Sequence, residues 1–480
     1  MSNQNPIIMQ FTAEQLHLLR PEQAWHYRVI PLERDGNIFK LLVDQAHSTS
    51  ALSQELAVIF DCKIIFEEVE SEHMERLLHT YYFRNKESKS KEASKEISTQ
   101  QQDFIPQLIA EAKALKSSDI HIEIYEKKCR IRIRIDGNLV ERYHIPPHAY
   151  PAIINKIKIL ANLDIAEKRL PQDGRIHFKH DDMAFDIRVS VLPTLYGEKI
   201  VMRLLNQDAS HIQLDQLGFA KQDLERYLEG VKKPNGMLLI SGPTGSGKTT
   251  TLYATLKLLN KESRNIITVE DPIEYTLDGI NQVQLKEDIG LDFAASLRTF
   301  LRQDPDVIMV GEIRDADTAN MAIRASLTGH LVLSTIHTNS AWGTISRLMD
   351  MGIPPFLIAG TLNTSVAQRL IRKLCVHCKQ EQDLDHQLFP RNFKPFKKVE
   401  KHYLSIGCEH CFYTGYKGRV AIYEVISLDH ELAEQIKNGN MNVNELLKER
   451  GIKTLAENAF DFFEHGDTTL EEIYSLLYNI

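Results

Sequence analysis

Gly242-Pro243-Thr244-Gly245-Ser246-Gly247-Lys248-Thr249 fits the pattern G-x-x-x-x-G-K-[ST] in full. Glycines at 242, 245 and 247 let a backbone wrap a phosphate without Cβ clashes, so that its N–H groups point inward. The apolar run MLLIS before the loop and the helix-forming run after it place the loop between a strand and a helix N-terminus, whose dipole favours an anion. Lys248 is expected at the β and γ phosphates and the Thr249 hydroxyl at Mg²⁺, with Thr250 next to it at the start of the helix. The plain alternative is a chance glycine-rich turn, which would not come with both flanking elements.

A phosphate loop needs acidic partners. ITVEDPIEY places Glu270 and Asp271 just past an apolar strand, and LRQDPDVIMVGEIRD places Glu312 just past another. Strand C-terminal ends are where ligands bind in open α/β sheets. Glu312 is assigned to magnesium, through water, and Glu270 to polarising the attacking water. The two roles are exchangeable, because phosphoryl transfer depends on positioning and charge more than on a strong base. For either glutamate the bland reading is a surface helix cap. His330 and His337 flank LVLSTI. A histidine after a buried strand suits sensing of the γ-phosphate as well as simple hydrogen bonding, and His337 joins the nucleotide-binding set.

Cys375-Val-His-Cys378 and Cys408-Glu-His-Cys411 are two C-x-x-C pairs 29 residues apart. Two such knuckles can give four thiolates to one tetrahedral Zn²⁺, which leaves no open position for water and makes the site structural. His377 or His410 replacing one ligand, or four free buried thiols, are the alternatives. Cys62 and Cys129 read as ordinary core residues in strands.

These groups need a frame. The 480 residues predict about three domains. A composition 43% hydrophobic and 25% charged excludes a disordered, collagen-like or disulfide-stapled chain. Residues 1–83 read as a small α+β module: two strands across 26–45 split by the turn Arg34-Asp35-Gly36-Asn37, a helix at 50–60, the strand Lys63 to Phe66, and a helix near 71–82. Residues 84–102, with Ala93 and Ile97 as their apolar residues, read as a flexible linker or a solvated helix. Residues 103–206 read as a second α+β domain. Asp136-Gly137 marks a hairpin there, and Arg130, Arg132 and Arg134 alternate with isoleucines, which predicts a solvated sheet face. From 207 to 480, short continuous apolar runs (MLLIS, IITVE, VIMVG, LVLSTI) alternate with helical patterns, which predicts a mainly parallel sheet buried on both faces. The cysteine subdomain occupies 370–420 and a helical region 426–480, its last helix opening with the capping-box pattern Thr468-Thr469-Leu470-Glu471.

Together, GPTGSGKTT, ITVEDPIEY, LRQDPDVIMVGEIRD and GHLVLSTIHTNSA resemble the ATPases of type II secretion and type IV pilus assembly, the GspE/PilB-like traffic ATPases. In that family they are the Walker A, Asp box, Walker B and His box, in this order. The resemblance continues through SSDIHIE, RIRIDG, AEKRLPQDGRI, DIRVSVLPTLYGEKIVMRLL, VAQRLIRKLC and KGRVAIYEV, and covers about residues 103–480. It implies a RecA-like P-loop domain preceded by an α+β, PAS-like domain, and a hexameric ring with ATP between the two. It also implies arginines supplied from the second domain, Arg175 in RLPQDGRI and Arg188 in DIRVS. The tetracysteine set matches the assembly branch of the family, whereas retraction motors generally lack it.

The resulting expectation is a cytoplasmic, Mg²⁺-dependent ATPase that drives subunit extrusion at an inner-membrane platform, reached through partners docked on residues 1–83. MSNQNPIIMQ lacks the marks of a signal peptide, and no apolar run approaches a membrane span. The rivals are a retraction ATPase, a DNA-handling relative and a non-hydrolysing scaffold locked by nucleotide. Lys plus Arg is 57 against 65 Asp plus Glu, a net charge of −8, so direct nucleic-acid binding is not expected. Residues 1–83 hold no R-L-G-x-x-L pattern, so no cyclic dinucleotide is expected there.

Overall fold

The structure is a computed structural model. It describes residues 18–19, 21–35, 38–60, 62–71, 73–74, 77–78, 95–96, 104–180, 183–205, 213–390 and 393–478. The chain forms two compact units, Met1–Ala93 and Ser94–Ile480.

In the first unit, helix α1 (Pro21–Tyr27) leads into β1 (Val29–Asp35), β2 (Ile38–Asp44), α2 (Ser50–Phe60) and β3 (Lys63–Val69). The sheet order is β1-β2-β3, antiparallel then parallel. Pro31 cannot donate a ladder hydrogen bond, and β1 accommodates it as an edge strand with a bulge between Pro31 and Glu33. Val29, Ile30, Phe39, Leu41, Leu42 and Leu56 build the core. Gly36 and Asn37 of the expected turn, and most of the expected helix at 71–82, lie outside the described residues. The third strand runs three residues beyond the expected Phe66.

The second unit opens with the two-residue strand β4 (Lys95–Glu96), which pairs with β7, so these two residues are neither linker nor helix. The rest of the expected linker lies outside the described residues. There follow α3 (Phe104–Ala114), β5 (Asp119–Ile124), β6 (Cys129–Ile135), β7 (Asn138–Ile145), α4 (Tyr150–Leu160), β8 (Gln172–His180), β9 (Met183–Thr194) and β10 (Gly197–Leu204). The sheet order is β4-β7-β6-β5-β10-β9-β8. Phe104, Ile105, Leu108 and Ile109 recur at helical spacing, so α3 buries one stripe on the isoleucines of β5 and β6. Asp136-Gly137 makes the β6–β7 turn with both φ angles positive.

The opposite face of β6 is not simply solvated. Glu123, 3% exposed, accepts from Arg130 at 3.0 Å and Arg132 at 2.8 Å, and Arg134 lies 3.3 Å from Asp119. Burial works against the Glu123 charge, but Arg132 and then Arg130 bring its pKa down to about 2. The alternation was read correctly; the acidic partners sit on a neighbouring strand, which alternation cannot reveal.

The sequence then builds α5 (Lys221–Lys232), β11 (Gly236–Ser241), α6 (Lys248–Leu259), β12 (Ile266–Glu270), β13 (Asn281–Gln284), α7 (Phe293–Phe300), β14 (Val307–Val310), α8 (Ala316–Leu327), β15 (Leu331–Ile336), α9 (Gly343–Asp350), α10 (Pro355–Thr361) and β16 (Leu362–Leu374). After them come β17 (Lys379–Asp383), β18 (Lys401–Ser405), β19 (Tyr416–Ser427), α11 (His430–Lys437), α12 (Asn444–Glu449), α13 (Leu455–Glu464) and α14 (Leu470–Leu477). The large sheet has the order β13-β12-β14-β15-β11-β16-β19, parallel except for β19. Its central strand explains the unbroken apolar runs. Met237 and Leu239 of β11 face the core formed with α7 to α10, while Leu238 and Ile240 face the core formed with α5 and α6. The cysteine region is an insertion between β16 and β19, carrying the β17–β18 hairpin. The final helix is capped by Thr469, whose side chain accepts from the Glu472 N–H, not by Thr468. The Thr468 hydroxyl instead bonds the Arg372 carbonyl, so a tertiary partner takes up the side chain expected to cap the helix.

Candidate nucleotide site and metal centre

The phosphate loop joins β11, buried along its whole length, to α6, which starts at Lys248. Gly242, Gly245 and Gly247 have φ of 146°, 80° and 87°. A Cβ on Gly242 would lie 2.4 Å from the Gln368 carbonyl, so nothing larger fits where the loop passes β16. Gln368 then braces the loop: its amide donates to the Ser246 carbonyl at 2.9 Å and accepts from the Thr251 hydroxyl at 2.9 Å. The Lys248 ammonium donates to the carbonyls of Gly242 (2.8 Å) and Pro243 (3.1 Å). Burial pushes its pKa below the ordinary lysine value, with the Glu312 charge opposing. Pro243, Thr244 and Thr249 are exposed along the mouth, Ser246 is buried and Thr250 is half-buried.

Glu312, just past β14, accepts from Arg314 at 2.5 Å and lies 3.3 Å from His337. Burial disfavours its charge, but Arg314 and then His337 hold its pKa below the ordinary carboxylate value. Glu312 therefore stands between His337, at 3.3 Å, and Lys248, which feels its charge. His330 does not join them. Its ring bonds the Ala325 carbonyl at 2.8 Å at the end of α8, the plain hydrogen-bonding role.

Glu270, at the end of β12, is 3% exposed. Its carboxylate accepts from the Tyr253 hydroxyl, from Thr268 at 2.5 Å and from Gln282 at 3.0 Å. Tyr253 stands one helical turn after Thr249 on α6 and also accepts from the Glu274 N–H at 3.3 Å, so it ties the phosphate-loop helix to the loop after β12. Burial and then the Glu270 charge push its phenol pKa up.

Arg188, on β9, donates to the Ile273 carbonyl at 2.7 Å and lies 4.0 Å from Glu274, so the β8–β10 sheet reaches the loop after β12. Arg175 does not reach that loop. It is 65% exposed and pairs with Asp186, whose other oxygen is 2.6 Å from His177. Register places Arg175 opposite Arg188 and Arg188 opposite Arg203, a row of three arginines on one face of the sheet. Sequence reasoning missed Arg203, Arg314, Tyr253 and Gln368. An amide inside the buried run VAQRL was the available sign of Gln368.

The four cysteine sulfurs all lie within 4.8 Å of one another, with separations of 3.9 Å (375–408), 3.7 Å (378–411) and 3.8 Å (408–411). Zinc–sulfur bonds of about 2.3 Å in a tetrahedron require sulfurs about 3.8 Å apart, so the set fits zinc. The N–H groups of Cys408 and Gly415 point at the Cys411 sulfur at 3.1 and 3.3 Å. Burial opposes a thiolate there, but these donors bring the Cys411 pKa down. His377 and His410 stack on each other with centroids 4.2 Å apart and are not part of the sulfur cluster. Cys62 and Cys129 are buried.

Among the described residues no helix is long and apolar enough to cross a membrane. The model of a family described as type II/IV secretion system protein matches residues 95–475. The chain is 50% identical over 375 residues to the type IV pilus assembly ATPase PilB of Myxococcus xanthus, covering 76% of this chain and 66% of that one. It is 38% identical over 478 residues to type II secretion system protein E of Aeromonas hydrophila, 94% of each. Among solved structures, the pilus retraction motor PilT with bound ADP is similar with a TM-score of 0.53 and 26% identity, over 77% of this chain and 96% of that one. The α/β fold with its phosphate loop is thus that of the RecA-like traffic ATPases. The chain spans just under two thirds of the first relative and nearly all of the second.

Proposed function

The chain belongs to the type II/IV secretion system protein family, and from that premise we propose that it is a Mg²⁺-dependent ATPase that works as a hexamer and powers assembly of a pilus or pseudopilus, or type II secretion. The observation that carries this reading is the complete loop Gly242–Thr249 with Glu312 and His337 gathered at Lys248.

Lys248 leaves its own loop carbonyls to meet the β and γ phosphates. The Thr249 hydroxyl and the Glu312 carboxylate are hard oxygen donors that suit Mg²⁺ and would hold it. Held by these two side chains, the ion would supply positive charge against the phosphates. Glu270 orients the attacking water. Three donors occupy three of the roughly four acceptor sites of a carboxylate, which fixes its angle and leaves one site for the water. Arg188, with Arg175 and Arg203 beside it, supplies positive charge from the second domain as the γ-phosphate leaves. Because that charge sits on a separate domain, hydrolysis changes the force between the two domains, which is the motor step. Zinc in the four-cysteine site is structural. Attachment at the inner membrane is through platform and docking proteins, with residues 1–83 as the docking module.

Steady-state phosphate release from the full chain with MgATP tests the enzyme against the locked scaffold. Turnover abolished by Lys248→Ala supports the ATPase, and a wild-type chain that binds ATP without turnover overturns it. Assembly is favoured over retraction by the relatives: the assembly and secretion proteins are 50% and 38% identical and the retraction motor 26%. Deleting the chain from its own cell separates the two, since an assembly motor leaves fewer filaments or less secretion and a retraction motor leaves more filaments.

A further inference from the structure

Arg369, on β16, is a cation with no carboxylate partner among the described residues. Its Nη2 donates to Asn339 Oδ1 at 3.1 Å, a neutral partner. Its Nη1 is buried with no hydrogen-bond partner. Among the described residues no carboxylate lies within ion-pair distance of it, whereas Arg372, three residues along the same strand, is fully paired with Glu472. A buried donor on a charged group left unpaired is costly, so such a group points to a ligand.

The position of the guanidinium says which ligand. Nη1 lies 3.3 Å from where a Cβ on Gly242 would be, at the entry to the phosphate loop. Its charge is felt by Lys248, and burial alone lowers its own pKa. Asn339, which accepts from its Nη2, lies two residues past His337, which faces Glu312. Arg369 therefore looks at the loop from the side of the Lys248, Glu312 and His337 cluster.

We propose that Arg369 is a phosphate-binding residue that takes the terminal phosphate of the triphosphate, held in place by Asn339, and so sets the preference for ATP over ADP. This deepens the nucleotide reading above and rests on it. With the anion bound, Nη1 gains the acceptor that the protein does not provide. Two cations, Lys248 and Arg369, then share a phosphate cage, and the guanidinium contributes only while the terminal phosphate is present.

The test measures Kd for Mg-ATPγS and for Mg-ADP on the full-length chain by calorimetry. Loss of one charge-assisted hydrogen bond should weaken ATPγS about tenfold or more in Arg369→Met, with ADP changed less than about threefold. Arg369→Lys should recover part of the ATPγS-to-ADP ratio. Asn339→Asp, at an exposed position, supplies the missing carboxylate and should lower the same ratio without removing the arginine, which keeps the test open if Arg369→Met fails to fold. An unchanged ratio in Arg369→Met and Asn339→Asp, or an equal loss for both nucleotides, overturns the proposal. A wild-type chain that binds neither nucleotide overturns the nucleotide reading itself.

Discussion

Tyr253→Phe removes one oxygen atom and little volume. The lost atom donates to Glu270 and accepts from the Glu274 N–H. A hydrogen bond to a charged group contributes about 1.5–3 kcal/mol, and the weaker one at 3.3 Å adds about 0.5 kcal/mol. Glu270 keeps Thr268 and Gln282, so the carboxylate stays buried but loses the donor that fixes one of its oxygens. The variant should therefore be destabilised by about 2–3.5 kcal/mol. Glu270 is proposed to hold the water, and a displacement near 1 Å costs about a hundredfold in rate, so kcat should fall about 10- to 100-fold. Nucleotide affinity should stay within about threefold, because the phosphate loop keeps its Gln368 brace. Phosphate release at saturating MgATP measures the first effect and calorimetry the second. The decisive measurement is the double variant: if Tyr253 acts by positioning Glu270, adding Tyr253→Phe to Glu270→Gln should lower kcat less than about twofold further. Independent, multiplying losses, or an unchanged kcat in the single variant, would refute the reasoning.

Glu312→Gln should abolish turnover while nucleotide binding is retained, since the neutral amide keeps the shape but not the charge opposite Lys248; wild-type phosphate release would remove its assigned role. Arg188→Ala should lower kcat by about a hundredfold or more with ATP affinity within about threefold, as for a charge needed mainly in the transition state; kinetics showing a change in KM alone would contradict this. Glu123 titrates at about 2 in the fold against about 4.3 unfolded, a depressed value. Its contribution is therefore present above the unfolded value and lost as pH falls towards 2, amounting to about 3 kcal/mol. Melting curves of Glu123→Gln should accordingly show a flatter acid arm than wild type between pH 5 and 2 (about the two pKa values). Metal analysis should find about one zinc per chain, and Cys378→Ser should lose it and lower the melting temperature while ATP affinity stays within about threefold; retained zinc would place the ion elsewhere.

What was legible in the sequence was what lies in consecutive residues or in a fixed period. Gly242 to Thr249 carries its chemistry in eight neighbours, the two C-x-x-C knuckles in four each, and the buried parallel strands in unbroken apolar runs. What was not legible depends on pairings across the fold. Gln368 and Arg369 are more than 110 residues from the loop they touch, and Glu123 meets its arginines only because β5 pairs with β6. Spacing alone makes Thr468 look like a cap, because it cannot show that the Thr468 hydroxyl bonds the carbonyl of Arg372, 96 residues earlier. Arg175 lies beside Arg188 by register, yet Asp186 takes it up locally.

The strand β16 passes the phosphate loop and ends just before the first cysteine of the four-sulfur cluster. Gln368 and Arg369 face the phosphate loop, and six residues later, about 20 Å along an extended strand, Cys375 begins the zinc knuckle. A rigid strand would transmit any disturbance at one end to the other. Between the two sites, however, Arg372 is fixed by the Glu472 carboxylate at 2.8 Å and by the Tyr416 ring, 4.0 Å below its guanidinium. The strand also pairs with β19 from Thr364 to Leu374, with a register shift just after Arg372. The shift and the anchor fall on the zinc side of the phosphate-loop contacts. Arg372 and Leu374 therefore form an anchored break in register between the cysteine cluster and Gln368. The four-cysteine cluster thus belongs to the insertion, whereas the groups that border the phosphate loop, Gln368 and Lys248, stand on β16 and α6.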